Sequence, residues 1–212
     1  MNVAASFEYK RVIDSICDLQ WEGLTCEEMV SAAWAYYFFS IQFRENLEIA
    51  RAIYPSDQKL ADLERGECNT DNLSPWYPVA EVGERMNHDE FMRRTLLLVP
   101  IEAGKSARFT AMGTAYLAAI RERDAVSRAL SIASYEDGGL GRVFNAILRF
   151  QNWDNPLLRA FRHFLVEHIR FDSDPEQGHG AMCRHLPRDD RVLPFWDAFR
   201  QIFVAFVPGL SR

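Results

Sequence analysis

The chain has 212 residues, 48% hydrophobic and 25% charged, with a formal net charge of −6. That composition is ordinary for a globular protein and the length suits one domain with a sizeable core. The acidic balance, with no basic stripe, argues against a nucleic-acid-binding protein, because such a chain repels the phosphate backbone.

Four cysteines, Cys17, Cys26, Cys68 and Cys183, form no C-x-x-C pair, which argues against a structural zinc site or a thioredoxin-like motif. Met1 to Phe7 lacks a basic segment followed by an apolar one, so no signal peptide is expected. The most apolar stretch, Ala32 to Ile41, is far shorter than the roughly 20 residues that span a bilayer. The expectation is a reduced, cytoplasmic protein that does not enter the membrane.

In chain order, the first clear signal is Thr25-Cys26-Glu27-Glu28, which has capping-box spacing. The helix it opens is expected to run to about Tyr54, where Pro55 ends it. Its middle, Ala32 to Phe39, is apolar on every face, as in a helix buried all round. An acidic helix follows over Asp57–Glu67. Cys68 to Met86, with Pro75, Pro78 and Gly83, reads as a long irregular segment, and loops of that length are usually functional or mobile. Asn87-His88-Asp89-Glu90 is a second capping-type start, leading to Leu98. Ser106–Arg123 is helical in period. Ala125–Phe150 is a helix-like run softened by Gly138, Gly139 and Gly141. Asn155-Pro156 places an N-cap before a proline, and Leu157, Leu158, Phe161, Phe164, Leu165 and Ile169 then form a helical stripe. A last helix spans about Val192–Phe206. Strand signals are poor, so the expected fold is all-α, a single domain over residues 1–212.

Chemistry centres on few residues. His168 and Asp172 are spaced i, i+4, so one helix face presents both. His179 lies two turns on, beyond Pro175 and Gly178, which predict a break. Imidazole and carboxylate donors suit iron, manganese or zinc. The spacing alone is equally compatible with an ordinary helix end, Asp174 capping the next helix. Glu67 and His88 flank the long segment, and Glu136 follows Tyr135; each could equally be a surface charge. Only one Glu-x-x-His occurs, at Glu176 and His179, where a ferritin-like bundle needs two. No His-Glu-x-x-His, Walker loop or Gly-x-Ser-x-Gly is present.

Phe161 to Asp172, followed by Gly178-His179-Gly180, resembles the last ligand helix of the heme-oxygenase-like di-iron oxidases and oxygenases, and the resemblance extends from about Trp34 to Met182. It implies about seven helices around a buried central one. It also implies six metal ligands: Glu67, His88, Glu136, His168, Asp172 and His179. Glu67, His88 and Glu136 would hold one iron, with His168, Asp172 and His179 holding or sharing the other and Glu136 resembling the bridging carboxylate. Glu67 and His88 lie further apart in the chain than in that family, and so do Asp172 and His179. Asp71 and Glu84 therefore stand as alternatives to Glu67, and Glu176 to Asp172. Two iron ions and dioxygen would act on a small amino acid, amine or fatty acid, with an external electron donor and a homodimer as further expectations. Lys105, Arg108 and Arg142 are candidates to pair a substrate carboxylate. The first histidine is residue 88, which disfavours heme oxygenase activity. The same scaffold also admits a metal-free thiaminase-like or quinone-cofactor-oxidase-like enzyme, or a non-catalytic interaction protein that docks through residues 68–86.

Overall fold

The computed structural model describes residues 3–73, 75–136, 139–172, 179, 185 and 189–211. Among these residues the chain is all-helical, with nine α-helices and no strand. The helices are α1 (Val3–Cys17), α2 (Cys26–Ile53), α3 (Gln58–Glu67), α4 (His88–Leu97), α5 (Ala103–Arg121), α6 (Ala125–Glu136), α7 (Gly139–Ile147), α8 (Pro156–Asp172) and α9 (Leu193–Phe206). None of them is long and apolar enough to cross a membrane.

α2 is the axis of the bundle and packs against α3, α4, α5, α6, α8 and α9. Its start is fixed as the sequence predicts. Thr25 accepts from the Glu28 amide, and the Glu28 carboxylate accepts from the Thr25 amide at 2.9 Å. Tyr36 and Phe39 are nearly inaccessible, and their rings meet those of Phe144, Phe161, Phe164, Tyr135 and Phe199. Trp34 and Tyr37, by contrast, are only partly covered. Aromatic groups this large dominate core energetics, and their edge-to-face contacts add about 0.5–1.5 kcal/mol per pair beyond burial.

Two differences from expectation raise the helix number from about seven to nine. α1 buries Ile13 and Ile16 against α7 and α9, a stripe too short to stand out in the sequence. The expected continuous run from Ala125 to Phe150 is instead α6 and α7. A Cβ on Gly139 would meet Trp196 at 2.6 Å, so α7 starts where a residue without a side chain lets α9 approach. α5 also begins earlier than expected, at Ala103.

Between α3 and α4 the chain is irregular but tied down. Thr70 and Met86 exchange backbone hydrogen bonds at 3.0 Å, and the Trp76 amide donates to Ala80 at 3.0 Å. Asn87 precedes α4, but its side chain caps no helix: its Oδ1 accepts from the Asn69 amide at 2.9 Å. This residue spends its capping group on closing the loop, which brings the end of α3 next to the start of α4.

Candidate metal centre

Glu67 ends α3, His88 begins α4, Glu136 ends α6 and His168 faces inward from α8; His179 joins them. All five side chains are buried, each with 7% or less of its surface exposed. Charged and imidazole groups are rarely buried unless paired or bound to a metal.

Hydrogen bonds around the cluster select the tautomers. The Asn72 amide orientation follows from its Nδ2, which donates to the Gly66 carbonyl at 2.5 Å. Its Oδ1 therefore faces His88 Nε2 at 2.9 Å and accepts that proton. His168 Nδ1–H donates to the Phe164 carbonyl one turn back, at 2.9 Å. A neutral imidazole holds one proton, so His88 Nδ1 and His168 Nε2 present lone pairs. These two nitrogens lie 3.0 Å apart. Glu67 Oε2 is 2.6 Å from the same His88 nitrogen. With both imidazoles neutral, three acceptor atoms converge in a buried space, an arrangement that repels unless a proton or a metal cation sits among them.

A second group shares Glu67. Its Oε1 is 3.1 Å from His179 Nδ1, and Glu136 Oε2 is 3.4 Å from that nitrogen. The ligating atoms of Glu67, His88 and His168 lie within 4.8 Å of one another, as do those of Glu67, Glu136 and His179. Both groups could hold a metal ion. Neutral imidazole with carboxylate is a donor set for iron, manganese or zinc.

Burial pushes the Glu67 carboxyl up, but His88, then His179 and His168, in their protonated forms outweigh it and hold the group well below the usual carboxylate range, so that without a metal a proton can take the place of the cation. Burial, helped by Glu67, pushes the neighbouring Cys68 thiol up to about 12. Cys68 is therefore a thiol at neutral pH, not a thiolate ligand.

The structure thus brings together five of the six expected ligand residues; the Asp172 side chain lies outside the described residues, as does Glu176. Among the described residues the candidate groups differ from the expected partition: His168 lies with His88, because α4 packs on α8, and Glu136 lies with His179. The carboxylate that faces both groups is Glu67, not Glu136. Of the alternatives to Glu67, Asp71 is exposed, and Glu84 is engaged by Arg94 at 2.7 Å. Lys105 pairs with Glu27 at 2.7 Å, Arg142 pairs with Asp14, and Arg108 lies over the Phe109 ring. Each is thus engaged away from the cluster.

A void of about 20 Å³ adjoins the cluster, lined by Tyr36, Phe39, Phe43, Leu140 and Phe164 among others. That is room for about one water molecule. From α2, Tyr36, Phe39 and Phe43 form the aromatic side of this void, whereas Trp34 turns to Phe109. Arg44 also lines the void, held by Asp89 at 2.9 Å. Arg44, Asn72 and Gly66 were not readable from the sequence as residues of the site. Only the need of a buried imidazole for a partner on its second nitrogen could have pointed to a residue such as Asn72.

Comparison with family models, with curated proteins and with solved structures returns no match.

Proposed function

We propose that the chain is a non-heme di-iron oxidase or oxygenase acting with dioxygen on a small amino-acid, amine or fatty-acid type substrate. The observation that supports this reading is the convergence of Glu67 Oε2, His88 Nδ1 and His168 Nε2, three buried ligating atoms on residues whose other imidazole nitrogens face Asn72 and the Phe164 carbonyl. Glu67, His88 and His168 would hold one ion, and Glu67, Glu136 and His179 the other. An iron pair, when bound, supplies redox equivalents and open coordination positions for dioxygen.

The chain's own residues do the rest. Glu67 and Glu136 offset cationic charge in a buried space. Asn72 and the Phe164 carbonyl keep the correct imidazole nitrogens free of protons. Tyr36, Phe39, Phe43 and Phe164 limit the space beside the cluster to a void with room for one small molecule. Electrons beyond those the substrate provides would come from an external donor.

The test is titration with ferrous iron under nitrogen, then admission of dioxygen with the visible spectrum recorded. Wild type is expected to bind two irons per chain and to gain a visible absorption on oxygenation. His168→Ala is expected to lose at least one iron and the absorption. Wild type that binds iron no better than His168→Ala would overturn the proposal in favour of a metal-free ligand-binding reading.

A further inference from the structure

A second cavity lies away from the metal centre. It is an open cleft of about 620 Å³ whose lining includes Trp76, Trp153, Asp154, Arg159, Arg162 and His163. Ligand pockets of about 300–1,000 Å³ hold small organic molecules.

Its walls are built for a flat ligand. Trp76 stacks on His163, with ring centroids 4.5 Å apart and planes 22° from parallel. His163 is itself fixed, because its Nε2–H donates to the Leu73 carbonyl at 2.6 Å. Trp153 is held by its indole N–H, which donates to the Phe150 carbonyl at 2.7 Å, and by edge contact with the Phe150 ring. Both indoles are only partly buried, so each presents apolar surface to the cleft without needing to move.

Its charge is cationic on a chain of net −6. Arg159 pairs with Asp154 at 3.1 Å, but both are well exposed, and such a pair is worth about 0–1 kcal/mol. Arg162 has no carboxylate partner among the described residues. A ligand anion would therefore meet one uncommitted guanidinium and a second that is easily redirected, and guanidinium suits planar bidentate recognition of carboxylate or phosphate.

We propose that this cleft binds a planar aromatic anion, its ring stacked on Trp76 and Trp153 and its anionic group held by Arg162 with Arg159. The site does not depend on the metal reading. Trp76 is also the outermost ring of a line that runs through His163, Phe91 and Phe164 to His168, each step between 4.2 and 6.2 Å. A ligand there would reach the wall of the metal centre only through this line of rings.

The test is a fluorescence titration of the full chain with flavin mononucleotide, with riboflavin and inorganic phosphate as its two halves. Flavin mononucleotide is expected to bind saturably, with its emission quenched, at least tenfold more tightly than riboflavin. Arg162→Gln should bring its affinity down to the riboflavin level without changing riboflavin binding, which also shows that the fold is intact. Trp76→Ala should weaken both flavins. No saturable binding up to about 1 mM, a free energy of about −4 kcal/mol, would overturn the proposal. So would an unchanged affinity in Arg162→Gln, or phosphate alone binding as tightly as the flavin nucleotide.

Discussion

Asn72 both donates to a backbone carbonyl and accepts from an imidazole. Its Nδ2 grips Gly66, one residue before Glu67, while its Oδ1 takes the His88 proton. Asn72→Ala would leave His88 free to change tautomer and rotate. Partners of this kind typically contribute 10–100-fold to metal affinity. We expect a loss in that range by competition with a chromophoric chelator, with the helical circular dichroism unchanged. Gly66 matters for space. A Cβ there would lie 2.8 Å from His179 Nε2, closer than side-chain carbons come to such atoms. Gly66→Ala should push the His179 ring out of line with Glu67 and Glu136. The expected outcome is weakened binding of one of two metal equivalents. Equal weakening of both would show that the two groups are not separable.

At the scale of elements, α2 and α6 are joined by a polar seam as well as by apolar packing. Gln42 donates to the Tyr135 hydroxyl at 2.8 Å and accepts from Tyr116 on α5. Asn46 donates to Ser131 at 3.0 Å and accepts from Arg128 at 2.7 Å. Buried polar groups satisfied in this way fix one register, and here the register sets where Glu136 falls. Glu45 extends the seam to the surface, pairing with Arg121 and Arg128. Its carboxyl is pulled below its ordinary value of 4.5, first by the Arg121 hydrogen bond, against the upward push of burial. A carboxyl lowered on folding stabilises above its unfolded value, and that stabilisation is lost as pH falls through the folded one. Glu45→Gln should therefore be less stable than wild type at neutral pH, with the gap narrowing below about pH 4.5, as followed by urea denaturation across pH. A gap constant with pH would assign the effect to packing. None of this seam was legible in the sequence, where only the apolar middle of α2, Ala32 to Phe39, stood out. What was legible were the caps: Thr25 with Glu28 opens α2, and Asn155 before Pro156 opens α8 by accepting from the Leu157 and Leu158 amides. Caps are local chemistry, whereas a buried Gln or Asn shows its role only when the facing helix is in place.

Over the whole molecule, the candidate ligands are scattered through the chain and meet only because α3, α4, α6 and α8 surround α2. Their identity as candidates came from the family resemblance, since residue type and spacing alone are equally compatible with surface charges and a helix end. Their grouping was not readable, since it depends on which helix ends face each other. Burial of Glu67 was likewise unreadable from an acidic helix with Glu64 beside it. A metal held there would join four helix segments to residue 179, and it can bind only the folded chain, because the unfolded one has no such constellation. At free metal about 100-fold above the dissociation constant, that linkage adds about 2.7 kcal/mol. For a chain of this size each kcal/mol is worth about 2–4 °C in melting temperature. Chelator-treated protein should therefore melt about 5–11 °C higher once ferrous or manganous ion is added, and the rise should shrink sharply in His168→Ala. Because a metal ion would displace any proton shared among Glu67, His88 and His168, the calorimetric heat of metal binding should also vary with the ionisation enthalpy of the buffer. A thermal shift of equal size in His168→Ala would place the metal elsewhere on this acidic chain and would detach the five buried residues from metal chemistry.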